Sequence, residues 1–305
     1  MSGSDRISRT RLPWADLRSL LFVPASAKPE LLDRAAGRGA DALIVDMEDG
    51  VAAERKPAAR HTLGAVVSAL ADRGATVVLR VNAAPQLWTL DLAASPLPRL
   101  AALMLPKVES PQSVQALARA LDDAGANDLP IVPLVESPAG VLSAAAIAAH
   151  PRVCALGFGA EDHAASLGVA PTPLALAWPA AQVVHAAHAH GRACWGMAAS
   201  IADFADLARL EAAVRDARAM GFTGSVCIHP RQVPVLNAGF APTPEELTWA
   251  RRVVEADRLA RAVGQGATQI DGRMVDRPIV ERAQRWLAAR QWPGSDARSG
   301  GPGQS

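Results

Sequence analysis

Residues 131–137 read IVPLVES and residues 153–162 read VCALGFGAED; each is an apolar, β-rich run that closes on an acid, Glu136 and Asp162. A carboxylate at the end of a buried strand costs free energy unless it meets a cation. Two of them at successive strand ends point to an oxygen-ligand site for a hard metal ion. The ordinary alternative is a pair of strand-end acids held in salt bridges.

The same alternation runs through the chain. Apolar, β-rich segments occur at residues 19–25, 42–46, 76–82, 101–107, 129–136, 153–158, 193–197 and 224–229, each followed by an alanine-rich stretch of helical periodicity. Eight β-then-α units predict an α/β protein with a TIM (β/α)8 barrel. A doubly wound sheet shares the alternation, so the strand ends decide. Phe22-Val23-Pro24, Asp46-Met47-Glu48-Asp49, Arg80-Val81-Asn82, Pro106-Lys107-Val108-Glu109, Glu136, Glu161-Asp162 and His229-Pro230 all stand where a strand gives way to its loop. A barrel spreads functional groups around that rim, whereas a doubly wound sheet gathers its ligand at one crevice.

Arg80 follows Val77-Val78-Leu79, so its guanidinium is expected to leave an apolar wall for the rim, where a planar fork can bind oxygens bidentately. Its alternative is a core ion pair. Lys107 and Glu109 stand at the fourth strand end, where a lysine at a crowded acidic rim is useful for charge balance alone, so a structural and a functional reading stay equally open and no step is assigned to them. His185, His188 and His190 lie along one alanine-rich helix with no carboxylate nearby, which argues against zinc. His229 is expected to fix the last loop by hydrogen bonding.

The 305 residues are 50% hydrophobic and 20% charged, enough for one large barrel core and a small appendage. The net charge is +1 without a Lys/Arg block, which argues against nucleic acid or an anionic membrane as partner. Cys154, Cys194 and Cys227 lack CxxC spacing and fall in predicted strands, as expected of core thiols in a reducing compartment. The polar N-terminus lacks an apolar signal region, and no segment offers about 18 uninterrupted apolar residues. A cytoplasmic location is expected. Four segments result: a flexible N-terminus (1–14), the barrel (15–241), a helical cap (242–292) and a disordered tail (293–305). Within the cap, Thr243 and Glu246 form a capping-box pattern, Gly264 marks a helix end, QIDGRMVDRP a turn, and IVERAQRWLAAR a last helix.

The strings RSLLFVPASAKPELL, ADALIVDMEDGVAAERKPAAR, LRVN, LMLPKVES, PLVESPAGVL, LGFGAEDHAASLG, GFTGSVCIHPRQVPVLNAGF and DGRMVDRP run in order from about Arg18 to Trp286. Together they resemble the citrate lyase β-subunit-like CoA-ester lyases of the HpcH/HpaI aldolase superfamily. The resemblance implies a TIM barrel with Mg2+ (or Mn2+), coenzyme A as part of the substrate, and cleavage or formation of a carbon–carbon bond between an acyl-CoA and a 2-oxo acid. Substrates among relatives are malyl-, methylmalyl- and citramalyl-CoA or a citryl thioester.

By the same resemblance Glu136 and Asp162 are the metal ligands and Arg80 the catalytic cation. Glu48 and Asp49 hold metal-bound water or orient Arg80. Asp276 is the acid/base brought over a neighbouring subunit's site, which implies a homotrimer or homohexamer. Arg18 and Lys28, flanking the first strand, are candidates for the CoA phosphates. The chain departs from the family pattern at three sites: Ser137 after Glu136, Trp195-Gly196 in strand seven, and Ser225 after Gly224. A CoA-independent class II aldolase acting on free oxo acids and a non-catalytic metabolite-binding subunit stay open as alternatives.

Overall fold

The computed structural model describes residues 12–289. Most of the expected flexible N-terminus and the whole expected tail lie outside the described residues. The chain divides at Phe240/Ala241 into two compact units.

In the first unit all eight expected strands form in order. They are β1 (Ser19–Pro24), β2 (Ala42–Asp46), β3 (Val77–Arg80), β4 (Ala102–Leu105), β5 (Ile131–Val135), β6 (Ala155–Phe158), β7 (Ala193–Trp195) and β8 (Ser225–Cys227). Each pairs in parallel with its sequence neighbour, and β8 pairs with β1. A parallel bridge between Trp195 and Gly224 joins β7 to β8. The sheet therefore closes on itself as a TIM barrel. The intervening helices are α1 (Pro29–Ala36), α2 (Lys56–Asp72), α3 (Pro85–Ala93), α4 (Pro111–Asp123), α5 (Pro138–Ala148), α6 (Ala160–Ser166), α7 (Pro173–Ala189), α8 (Leu207–Met220) and α9 (Gln232–Phe240). Many begin on a proline, whose missing N–H and fixed φ suit a first helical turn.

The strand period of two sorts side chains into two cores. Inward residues such as Leu20, Ile44, Val78, Met104, Val132, Leu134 and Trp195 fill the barrel, and outward ones such as Leu43, Val45, Leu79, Leu103 and Ile131 meet the helices. Trp195, where strand seven departs from the family pattern, is completely buried with Trp14 tilted against it at 6.3 Å. It is a plug of the interior. Cys154, Cys194 and Cys227 are free thiols, and burial pushes the Cys227 thiol up to about 12 and the other two higher still.

The second unit pairs α10 (Pro244–Ala262) and α11 (Arg277–Ala289) with a hairpin of β9 (Thr268–Ile270) and β10 (Arg273–Val275). The Thr243/Glu246 capping box forms in both directions. The segment read as a plain turn is this hairpin. Asp271 and Gly272 both take positive φ, 49° and 76°, as a two-residue turn matching strand twist requires. Val253, Val275, Val280 and Ala283 make the unit's own small core. Among the described residues no helix is long and apolar enough to cross a membrane.

Candidate active site

The carboxyl ends of the strands surround a cavity of about 400 Å³. One part of its lining is charged: Asp46, Asp49, Arg80, Glu136, Glu161 and Asp162. The rest is mostly apolar, with Phe22, Leu134, Phe158, Met197, Ile201 and Ile228 prominent. Barrel closure thus brings together Asp49, Arg80, Glu136 and Asp162 from four separate stretches of chain.

Register builds the Arg80 cluster. Asp46 ends β2 directly beside Arg80, which ends β3. Arg80 donates from Nε to Asp46 Oδ1 and from Nη2 to Asp46 Oδ2, both at 2.7 Å. Its Nη1 pairs with Glu48 Oε2 at 3.0 Å, close enough for an ion pair although the angles make no hydrogen bond. The guanidinium carbon sits 4.6 Å over the Phe22 ring. The fork expected to grip substrate is therefore occupied by Asp46; a guanidinium has more N–H donors than these contacts use, and Arg80 still lines the cavity. Burial opposes its charge, but the hydrogen bond and charge of Asp46, with Glu48, outweigh burial and hold it firmly cationic.

Asp46 was absent from the sequence-derived site. The signal for it is the strand period: positions 46 and 48 share a face, while Met47 between them is buried in the outer core. Asp46 also accepts the Glu48 amide at 2.9 Å and the Gly50 amide at 2.8 Å. Glu48 meets a second cation, Lys107 Nζ, at 2.8 Å. Burial raises the Glu48 carboxyl against the pull of both cations. Glu48 thus touches Arg80, whereas Asp49 is exposed at the cavity and outside that pairing.

Glu136 follows β5 and is buried. Its Oε1 accepts the Lys107 backbone N–H at 2.6 Å, and Lys107 reaches that pose with a left-handed φ of 55°. A non-glycine residue held there stores strain that the surroundings must stabilise. Gly159 makes room on the other side: a Cβ at that position would lie 2.6 Å from Glu136 Oε2. Burial pushes the Glu136 carboxyl up to about 8, with Asp162 and Glu48 adding repulsion against the Lys107 amide and Arg80. Ser137 accepts the Gly140 amide as cap of α5 and donates to Glu109 at 2.6 Å, which accounts for a hydroxyl there.

A carboxylate buried at such cost in a glycine-made cradle, with Asp162 half-buried on the same cavity, suits a cation between them. Among the described residues no three His, Cys, Asp or Glu gather as a metal cage. Two carboxylates with open positions fit a hard divalent ion that takes its other oxygens from water or ligand, and not a closed zinc site.

Other candidates lie elsewhere. Arg18 precedes β1 at its amino end, the opposite rim from Glu136. There it forms a two-pronged pair with Asp41, at 2.9 and 3.0 Å, and reaches the Asn237 carbonyl, so it ties strand starts together and does not face the cavity. Lys28 is exposed after β1, on the carboxyl rim. Asp276 belongs to the second unit, between β10 and α11, where its carbonyl accepts the Ile279 and Val280 amides. His188 bonds the Gly221 carbonyl at 2.8 Å. His229 Nδ1 accepts the Arg231 amide and its ring stacks on Phe204, the loop-fixing role expected.

Residues 18–230 match the model of the HpcH/HpaI aldolase/citrate lyase family. A (3S)-malyl-CoA thioesterase of Cereibacter sphaeroides is 36% identical over 89% of this chain and 93% of its own length. The mitochondrial citramalyl-CoA lyase of Homo sapiens is 32% identical over 88% and 83%. Among solved structures, protein CitE of Mycobacterium tuberculosis in complex with magnesium, acetoacetate and coenzyme A superposes with a TM-score of 0.71 at 34% identity, covering 89% of this chain and 97% of that one.

Proposed function

We propose, for a chain that belongs to the HpcH/HpaI aldolase/citrate lyase family and is a lyase, a Mg2+-dependent reaction on the carbon–carbon bond of a 3-hydroxyacyl-CoA. Cleavage yields an acyl-CoA and a 2-oxo acid, and the reverse reaction forms the bond. The observation that carries this reading is the convergence of Glu136, Asp162 and Arg80 on one largely apolar cavity. The magnesium, acetoacetate and coenzyme A bound together by the Mycobacterium tuberculosis relative support it.

Glu136 and Asp162 are the proposed metal ligands, and bound Mg2+ supplies Lewis-acid polarisation of the oxo-acid oxygens. Cleavage requires three events: the hydroxyl loses its proton, the bond to the carbon next to the thioester breaks, and the electron pair moves onto the thioester oxygen. Arg80, already fixed by Asp46 and Glu48, offers its spare donors to the oxygen that changes from hydroxyl to carbonyl, with little reorganisation. The apolar lining excludes water while charge moves. Asp276, supplied by a second copy of the chain in a trimer or hexamer, acts as the shuttle that takes the hydroxyl proton and delivers a proton to the carbon next to the thioester. Lys28 on the carboxyl rim is the candidate for the CoA phosphates.

One panel tests the reading: purified protein with Mg2+ and malyl-, citramalyl- or methylmalyl-CoA, following oxo acid and free thiol separately. Oxo acid without free thiol is the expected result. Free thiol without oxo acid identifies a thioesterase, and turnover of hydroxy acids lacking CoA identifies a class II aldolase. No turnover of any of these leaves a non-catalytic metabolite-binding subunit.

A further inference from the structure

We infer that Gln232 is a positioning residue that sets the apolar lining of the cavity, and through it the size of the substituent a substrate carries there. The size selection rests on the lyase reading above; the positioning does not.

Gln232 opens α9 and is completely buried, yet no step of the proposed chemistry needs an amide there. Its Oε1 accepts two backbone amides, Ile228 at 3.0 Å and His229 at 3.1 Å. Its Nε2 donates to the Ile201 carbonyl at 2.8 Å. This pattern admits one orientation of the amide, because a flipped side chain would aim donors at two N–H groups. One side chain thus ties the loop after β7 to the loop after β8, at the seam where the barrel closes and both strands are three residues long.

Those two loops carry much of the apolar lining: Met197, Ala199, Ile201 and Ala202 from one, Ile228 from the other. Ile228 is 46% exposed, so packing does little to hold it, and the bond from its amide to Gln232 takes on that task. Two further contacts brace the same loop. Phe204 stacks on His229 with centroids 4.5 Å apart and planes 10° from parallel, and Ser200 donates to Glu161. A lining held by directional bonds keeps a fixed width. A cavity of fixed width discriminates by added methylenes, at about tenfold or more for each.

The test compares wild type with Gln232→Met, close in shape but without the three bonds, and Gln232→Glu, which keeps an acceptor for both amides. Hydrogen exchange is followed over residues 198–206 and 228–229, and kcat and KM are measured for condensation of acetyl-CoA with glyoxylate, pyruvate and 2-oxobutyrate. We expect Gln232→Met to speed exchange about tenfold or more in both segments and Gln232→Glu to restore protection at 228–229. We also expect Gln232→Met to flatten the preference among the acids by about tenfold, with the change in KM and not kcat. Unchanged exchange, or faster exchange with an unmoved preference, overturns the inference. Should Gln232→Met fail to fold, Ile228→Ala at the cavity mouth must relax the preference in the same direction, and no relaxation is equally decisive. If wild type turns over none of the acids, the lyase reading fails while exchange still decides the positioning; calorimetric binding of the same acids then measures selection, and equal binding overturns it.

Discussion

Replacing Arg80 by alanine should unfold this protein more readily, as well as stop its chemistry. Asp46 is 3% exposed and Glu48 5%, and Arg80 is the cation between them. Removing one partner of a buried ion pair costs about 3–5 kcal/mol, because the remaining charge keeps its desolvation penalty and loses its compensation. Here the lower end is expected. Asp46 retains two backbone amides and Glu48 retains Lys107. For a barrel of this size, about 3 kcal/mol lowers the melting temperature by roughly 6–12 °C. Urea and thermal unfolding followed by circular dichroism in EDTA would measure it. Arg80→Ala with Asp46→Asn, which removes the stranded charge while keeping an acceptor, should recover a large part of the loss. The reasoning fails if Arg80→Ala stays within about 1 kcal/mol of wild type, or if the double variant is no more stable than the single one.

Four further outcomes follow from this geometry and from the proposed function. Asp162→Asn should weaken Mg2+ binding about tenfold or more, ~1.4 kcal/mol, and abolish turnover while melting normally in EDTA; unchanged calorimetric affinity refutes the ligand assignment. Burial pushes the Glu136 carboxyl up to about 8 from an ordinary 4.5, so metal-free protein loses stability as pH rises from 4.5 toward 8, and Glu136→Gln should gain on wild type over that range by more than about 1 kcal/mol. A stability difference independent of pH between 5 and 8.5 would sink that account. The three thiols, all raised by burial, should resist Ellman's reagent at pH 8 in the native protein and react at once in denaturant; rapid native labelling contradicts their burial. On the proposed sharing of a site between copies, inactive Asp276→Ala mixed with inactive Glu136→Gln should regain part of the activity, since a mixed oligomer would hold sites with an intact rim and an intact neighbouring Asp276, and failure despite subunit exchange verified by mass rules out the shared site.

The architecture was legible because barrel strands and their helices announce themselves locally. Runs such as IVPLV and ALIVD are buried on both faces and read as continuous apolar stretches, and alanine-rich helical periods separate them. The capping box at Thr243 and Glu246 is likewise a short-range pattern, and it formed as read. The hairpin at Asp271-Gly272 carried its signal too, but its two strands are three residues each and fall below the length at which alternation can be recognised.

The sequence by itself determined that acids and an arginine stand at strand ends, since placement along one strand depends on that strand's own residues. Which of them meet was decided by register between strands far apart in the chain. Asp46 and Arg80 are neighbours because β2 and β3 pair at those two positions, and Lys107 reaches Glu136 and Glu48 only once β2, β3, β4 and β5 are assembled in one sheet. Arg18 and Lys28 flank the same first strand in sequence, yet Arg18 precedes it and Lys28 follows it, and a parallel barrel sends strand starts and ends to opposite rims. Gln232 shows the same limit most plainly. A glutamine opening a short, mostly apolar helix has no local mark, and its task exists only where closure of the barrel brings two loops within reach of one amide.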